Sequence, residues 1–123
     1  MIPWTLSAVR LFVTDIEKAK QFYCDQLEMP LKQDGRSDGF LLFDLGTISV
    51  VVEAIANPNQ EADLVGRFVG ITFNVPDVQS LYDSLRAKGI EFMGTPQLQP
   101  WGGTTVSILD PDKNAISFVS VPK

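Results

Sequence analysis

The chain has no histidine, and that absence excludes more chemistry than any single residue suggests. Imidazole is the commonest metal ligand and the usual general base near neutral pH. A Ser-His-Asp triad, a histidine-based zinc site and a histidine proton shuttle are therefore all excluded. Cysteine is nearly as scarce: Cys24 stands alone, so no internal disulfide can form, which suits a reducing cytoplasm. No apolar run approaches the roughly 20 residues needed to span a bilayer. The opening MIPWTLSAVR lacks the basic start, apolar stretch and small-residue cleavage site of a signal peptide. Positive charge is also short, with ten Lys and Arg against fifteen Asp and Glu and a net charge of -5. Nucleic acid and anionic membrane, which call for a basic footprint, are not expected partners. The expected location is cytoplasmic.

What is present reads as one soluble domain. The 123 residues are 45% apolar and 20% charged, the balance of an ordinary globular core. Comparing the sequence with itself reveals a duplication. AVRLFVTDIEKAKQFY (8–23) and GITFNVPDVQSLYDSL (70–85) share one plan. Each alternates apolar residues (Val9, Leu11, Val13; Ile71, Phe73, Val75), reaches an aspartate (Asp15; Asp77), then turns amphipathic at helical spacing (Ile16, Ala19, Phe22, Tyr23; Val78, Leu81, Tyr82, Leu85). An Asp between strand and helix patterns is a good N-cap, because its carboxylate accepts the free N–H groups of the first turn. Downstream, 39–45 and 103–109 are strand-like runs opened by glycine, and ISVVV (48–52) answers ISFVS (116–120). The turn Asp110-Pro-Asp-Lys-Asn separates the last two strands of the second copy. The sequence thus predicts two βαβββ modules, about 5–53 and 68–121, joined by a polar linker 54–67 that Pro58 interrupts. At roughly 60 residues neither module is expected to stand alone.

Strand parity separates two faces. Val9, Leu11, Val13, Ile48, Val50, Val52, Ile71, Phe73, Val75, Ile116 and Phe118 should pack under the helices. The opposite parity is mixed, with Arg10, Phe12, Val51, Glu53, Thr72 and Asn74 its notable occupants. From residue types alone this face either lines a cavity or meets water, and Arg10 with Glu53 could be an ordinary exposed ion pair. Trp101, before paired glycines, either stacks on a ligand or covers a core edge.

The strand–Asp–helix opening with Phe22-Tyr23, the Lys88-Gly89-Ile90 after the second helix and the Asp110-Pro-Asp-x-Asn turn resemble the vicinal oxygen chelate superfamily of glyoxalases, bleomycin-resistance proteins and extradiol dioxygenases. The resemblance runs from about Leu6 to Val121. It implies an α+β fold of tandem βαβββ modules, a curled mixed sheet enclosing a cleft, and so turns the mixed parity towards that cleft. It also implies four metal-ligand seats, seven residues before each Asp and on each module's last strand. Here they hold Ala8, Ser49, Gly70 and Ser117. Two have no side-chain donor, and neutral hydroxyls are poor ligands for a divalent ion. Metal-dependent glyoxalase or dioxygenase activity is not expected, nor any cofactor. Another departure is Glu28-Met29, where the family commonly has a Gly-containing turn. The leading expectation is a metal-free binding protein that holds a small organic molecule through Arg10, Phe12, Val51, Glu53, Thr72, Asn74 and Trp101. The alternative is a metal-independent lyase or isomerase with Glu53 as general base. A homodimer is expected, with Trp4 a candidate contact.

Overall fold

The computed structural model describes residues 1–122, which divide into two compact units meeting at Val65 and Gly66. In the first unit, β1 (Ala8–Val13) leads into helix α1 (Ile16–Lys20), followed by β2 (Leu31–Gly35), β3 (Phe40–Asp44) and β4 (Ser49–Ala54). Asp15 caps α1 as its position predicts, accepting the N–H groups of Glu17 at 2.9 Å and Lys18 at 3.2 Å. The helix does not continue in α form: Gln21–Gln26 winds as a π-helix, with Leu27 N–H donating to the Phe22 carbonyl. The adjacent Phe22 and Tyr23 are both buried there. The chain then turns through Glu28, which takes a positive φ of 55°, a conformation costly for a residue with a Cβ.

The first sheet runs β1-β4-β3-β2, with β1 and β4 parallel and the others antiparallel. Leu11, Val13, Val50 and Val52, all of the parity expected to be inside, are at most 1% exposed. Their neighbours in sequence are not. Arg10 is exposed, while Phe12, Val51 and Glu53 are half-buried.

The segment between β4 and the second unit is more structured than its polarity suggests. Pro58 does not interrupt it but opens a short helix, α2 (Pro58–Glu61), at the position where a missing N–H costs nothing. Asn57 Oδ1 accepts from Asn59 N–H at 3.1 Å, and Asn57 N–H donates to Glu61 at 2.9 Å. A 3₁₀ turn follows at Ala62–Leu64.

The second unit contains β5 (Phe68–Asn74), α3 (Val78–Ala87), the two-residue strands β6 (Glu91–Phe92) and β7 (Gln97–Leu98), β8 (Thr104–Leu109) and β9 (Ala115–Ser120). Its sheet runs β5-β9-β8-β6, with β7 also pairing to β8. Asp77 caps α3, accepting from Gln79 N–H at 3.0 Å and from Ser80 Oγ at 2.8 Å. Val78, Leu85, Ile90, Val106, Ile108, Ile116 and Phe118 form its core. The Asp110–Asn114 turn is a knot of hydrogen bonds rather than a loose loop. Asp110 Oδ1 accepts from the N–H groups of Asp112 and Asn114, and its Oδ2 accepts from Asn114 Nδ2. Asn114 Oδ1 in turn accepts from Gly66 and Arg67 N–H. Both side chains are at least 97% buried by this arrangement, at 3% and 1% exposure. These two mixed sheets with few helices give the α+β architecture that the repeat predicts.

Candidate functional site

In the first unit the non-core sheet face carries Arg10, Phe12, Val51 and Glu53 on adjacent parallel strands, with Arg10 opposite Val51 and Phe12 opposite Glu53. Arg10 and Glu53 meet on the diagonal in a bidentate pair, Nε to Oε2 at 2.6 Å and Nη2 to Oε1 at 3.0 Å. The guanidinium also lies 5.1 Å from the centre of the Phe12 ring, within cation–π range. The hydrogen bond to Glu53, and then its charge, push Arg10 above its ordinary value. Both Glu53 oxygens are engaged, so a general-base role for Glu53 would require Arg10 to leave. Across β3, Phe40 and Leu42 continue the face opposite Glu53 and Val51. Phe40 lies so close over Gly35 that any Cβ there would collide with its ring. The face is therefore an apolar strip of aromatic and branched residues with one neutralised ion pair.

In the second unit Thr72 pairs with Ser117, and Asn74 with Val119. Ser117 pairs in turn with Ser107 on β8, and Val119 with Thr105. Three hydroxyl residues therefore stand in one row across the sheet, and Ser117 Oγ lies 2.6 Å from Ser107 Oγ. Thr105 Oγ1 accepts from Gln99 Nε2 at 2.8 Å. Beside this row opens a hollow of about 330 Å³, with Met93, Thr95, Gln97, Thr105 and Ser107 in its wall. Sequence reasoning named Thr72 and Asn74 but missed Thr105 and Ser107. The signal was available: in the run Thr104–Leu109, Thr105 and Ser107 alternate with Val106 and Ile108, the same mixed parity. Trp101 is 62% exposed, and its ring lies against Gly103, where a Cβ could not fit. It covers its own turn and is not in the wall of the hollow.

Register refines the equivalence of the two copies. Gly70 sits at φ 79° in β5, where the ladder to β9 shifts between Phe68 and Thr72; only a glycine takes this bulge conformation without penalty. Past the bulge, Ser117 faces Thr72 as Val51 faces Arg10. The counterpart of Ser117 in the first unit is therefore Val51, whereas the repeat in sequence aligns Ser117 with Ser49. Val51 carries no donor, Gly70 and Ala8 carry none, and the Ser117 hydroxyl is bonded to Ser107. Among the described residues no three His, Cys, Asp or Glu side chains cluster as metal ligands. The residues at these positions do not fit a divalent ion.

Cys24 is half-buried. Burial pushes its thiol up from the ordinary 9.0, with Lys20 and Arg36 opposing and Asp25 and Asp34 reinforcing. A protonated thiol at neutral pH is a weak nucleophile. Among the described residues no helix is long and apolar enough to cross a membrane.

Known proteins share this sequence and fold. The chain is 33% identical over 115 residues to a protein of Synechocystis sp. (strain ATCC 27184 / PCC 6803 / Kazusa) described as a "Probable lactoylglutathione lyase", covering 87% of this chain and 88% of that one. Its structure matches a member of the same superfamily from Sphaerobacter thermophilus DSM 20745 with a TM-score of 0.77 at 27% identity, over 97% of this chain and 98% of that one. It also matches TnmS3, an antibiotic binding protein from Streptomyces sp. CB03234, with a TM-score of 0.78 at 24% identity over 99% of each chain. The profile of one superfamily matches residues 5–118. The chain belongs to the Glyoxalase/Bleomycin resistance protein/Dioxygenase superfamily.

Proposed function

We propose that this protein binds a small organic molecule on its open sheet faces, through Arg10, Phe12, Val51, Glu53, Thr72 and Asn74, without a metal ion. The observation that carries the reading is the chemistry of the equivalent strand pairs, Arg10 with Val51 and Thr72 with Ser117. A metal centre calls for convergent anionic or imidazole donors. These pairs offer a cation, an aliphatic side chain and neutral hydroxyls. An open face of aromatic, aliphatic and a few oriented polar groups suits a binding site. TnmS3, which shares the fold, is an antibiotic binding protein. Turnover by Glu53 is the weaker reading, because both of its oxygens are held by Arg10.

A thermal-shift screen of natural-product antibiotics, run with and without EDTA, tests this. A compound should raise the melting temperature equally in both conditions and lose its effect in the lysine variant of the face it occupies, Val51→Lys in the first unit or Thr72→Lys in the second. Binding or lactoylglutathione formation that appears only with added zinc, nickel or manganese overturns the reading.

We also propose that two copies pair, in the cytoplasm. Ile2, Trp4 and Leu6 alternate ahead of the edge strand β1 and are 71%, 87% and 73% exposed, an apolar arm that a two-fold dimer would cover. A monomer by sedimentation across the micromolar range refutes the dimer.

A further inference from the structure

We propose that the hollow of the second unit is a subsite for a neutral, oxygen-bearing ring compound, and that it discriminates against charged ones. The inference rests on the binding reading above and names the class of molecule. It starts from what the wall lacks. The hollow of about 330 Å³ is lined by Met93, Thr95, Gln97, Thr105, Val106 and Ser107 with one glycine. None of these side chains is charged. A carboxylate or ammonium entering it would give up part of its hydration and meet no counter-charge in the wall.

The wall can instead answer an uncharged oxygen. The Ser107 and Ser117 hydroxyls share one hydrogen bond at 2.6 Å. Either can be the donor, and a ligand oxygen against Ser107 selects the arrangement in which Ser117 donates to Ser107, leaving the Ser107 O–H to donate outward. Thr105 Oγ1 already accepts from Gln99 Nε2, which leaves its own O–H to donate as well. Thr105 and Ser107 are two apart on β8 and so lie on the same face. Two hydroxyl donors on one face suit a carbonyl, ether or hydroxyl oxygen. The thioether of Met93, 57% exposed at the rim, offers a soft contact for a ring. The volume sits at the small end of ligand cavities, roughly 300–1,000 Å³, which suits one or two rings. Gln97 Nε2 is turned back onto the Thr95 carbonyl and hydroxyl at 3.3 and 3.2 Å, so the rim holds its own shape.

The test uses three probes of matched shape: neutral 4-hydroxyacetophenone, anionic 4-hydroxybenzoate and cationic 4-hydroxybenzylamine. Each is titrated into the ¹⁵N-labelled full chain while backbone amide shifts are followed. The ketone should saturate shifts at residues 93–95, 97 and 104–107, with the two charged probes about tenfold weaker or more at those amides. Thr105→Val and Ser107→Ala, which remove one hydroxyl each, should weaken the ketone by about two- to tenfold, the loss of one neutral hydrogen bond. Their melting temperatures check that the fold is kept, and the wild-type shift map stands whether or not either variant folds. Equal or tighter binding of a charged probe at those amides overturns the proposal, as does unchanged affinity in both folded variants. Shifts confined to residues 10–12 and 51–53 overturn the subsite and leave the binding reading standing. No saturable shift from any probe at any residue removes both.

Discussion

Val50 and Val51 are neighbours on β4 with identical side chains, and truncating each to Ala separates the two faces of the first sheet. Val50 is fully buried, between Val9 on β1 and Phe43 on β3. Val51 is half-buried, between Arg10 and Leu42. Removing two carbons from a buried site loses about 1.6 kcal/mol of transfer free energy, at about 0.8 per carbon. The cavity left behind, at about 24 cal/mol per Å³, adds up to about 1 kcal/mol more. Val50→Ala should therefore destabilise the protein by about 2–3 kcal/mol. Val51→Ala opens no cavity, because its side chain already meets solvent, and should cost about 1 kcal/mol or less. The lower strand propensity of Ala affects both variants equally and cancels in the difference. That difference, about 1 kcal/mol or more, is about fivefold or more in the unfolding equilibrium. Urea titration followed by circular dichroism measures it, with the slopes compared to check that both variants unfold the same way. If Val51→Ala costs as much as Val50→Ala, the face assignment is wrong, and the open-face site fails with it.

The parts of this molecule that were legible in sequence are those set by short-range physics. Asp15 and Asp77 each sit between alternating and helical patterns, and each caps its helix as that position requires. Strand parity separated Leu11 and Val50 from Arg10 and Val51, because side-chain alternation needs no knowledge of the partner strand. What was not legible depends on pairing between distant strands. The bulge at Gly70 shifts β5 against β9, and no periodicity in either strand announces it. The counterpart of Ser117 is consequently Val51, a fact of register rather than of pattern. Thr105 and Ser107 join the hollow because pairing of β6 and β7 with β8 brings Met93, Thr95 and Gln97 beside them. By residue type Pro58 interrupts the segment, yet Asn57 before it and Glu61 after it form a local cap that turns the same proline into a helix start.

Glu28→Gly should be about 0.5–1 kcal/mol more stable than Glu28→Ala, because only glycine relieves the positive φ of 55° at this turn; thermal denaturation showing the glycine variant no more stable than the alanine one would refute the strain. Asp77 is held below its ordinary 3.8, first by the Ser80 hydroxyl and then by the Ser80 and Gln79 N–H groups. A depressed carboxylate stabilises above its unfolded value and loses that contribution as pH falls through the folded one. The stability gap between wild type and Asp77→Ala should therefore be flat from pH 7 to about 5 and close below about 4; a gap that persists or widens in acid contradicts the cap. The buried turn gives the opposite sign. Asn114→Ala removes the hydrogen bonds from Gly66 N–H, from Arg67 N–H and to Asp110 Oδ2. At about 1 kcal/mol each, softened where water reaches the exposed Gly66 and Arg67, their loss should cost about 2–3 kcal/mol. Asn114→Asp keeps the acceptor for Gly66 and Arg67 but sets a second carboxylate where an amide now donates to Asp110 at 2.9 Å. Two buried carboxylates at that distance cannot both ionise without a large penalty, so one must take up a proton. Asn114→Asp should be weakest at pH 7 and gain stability relative to Asn114→Ala as pH falls towards 5, because the shared proton restores a donor. If the two variants keep a constant difference across that range, Asn114 is not the internal donor to Asp110, and the turn is held by its backbone alone.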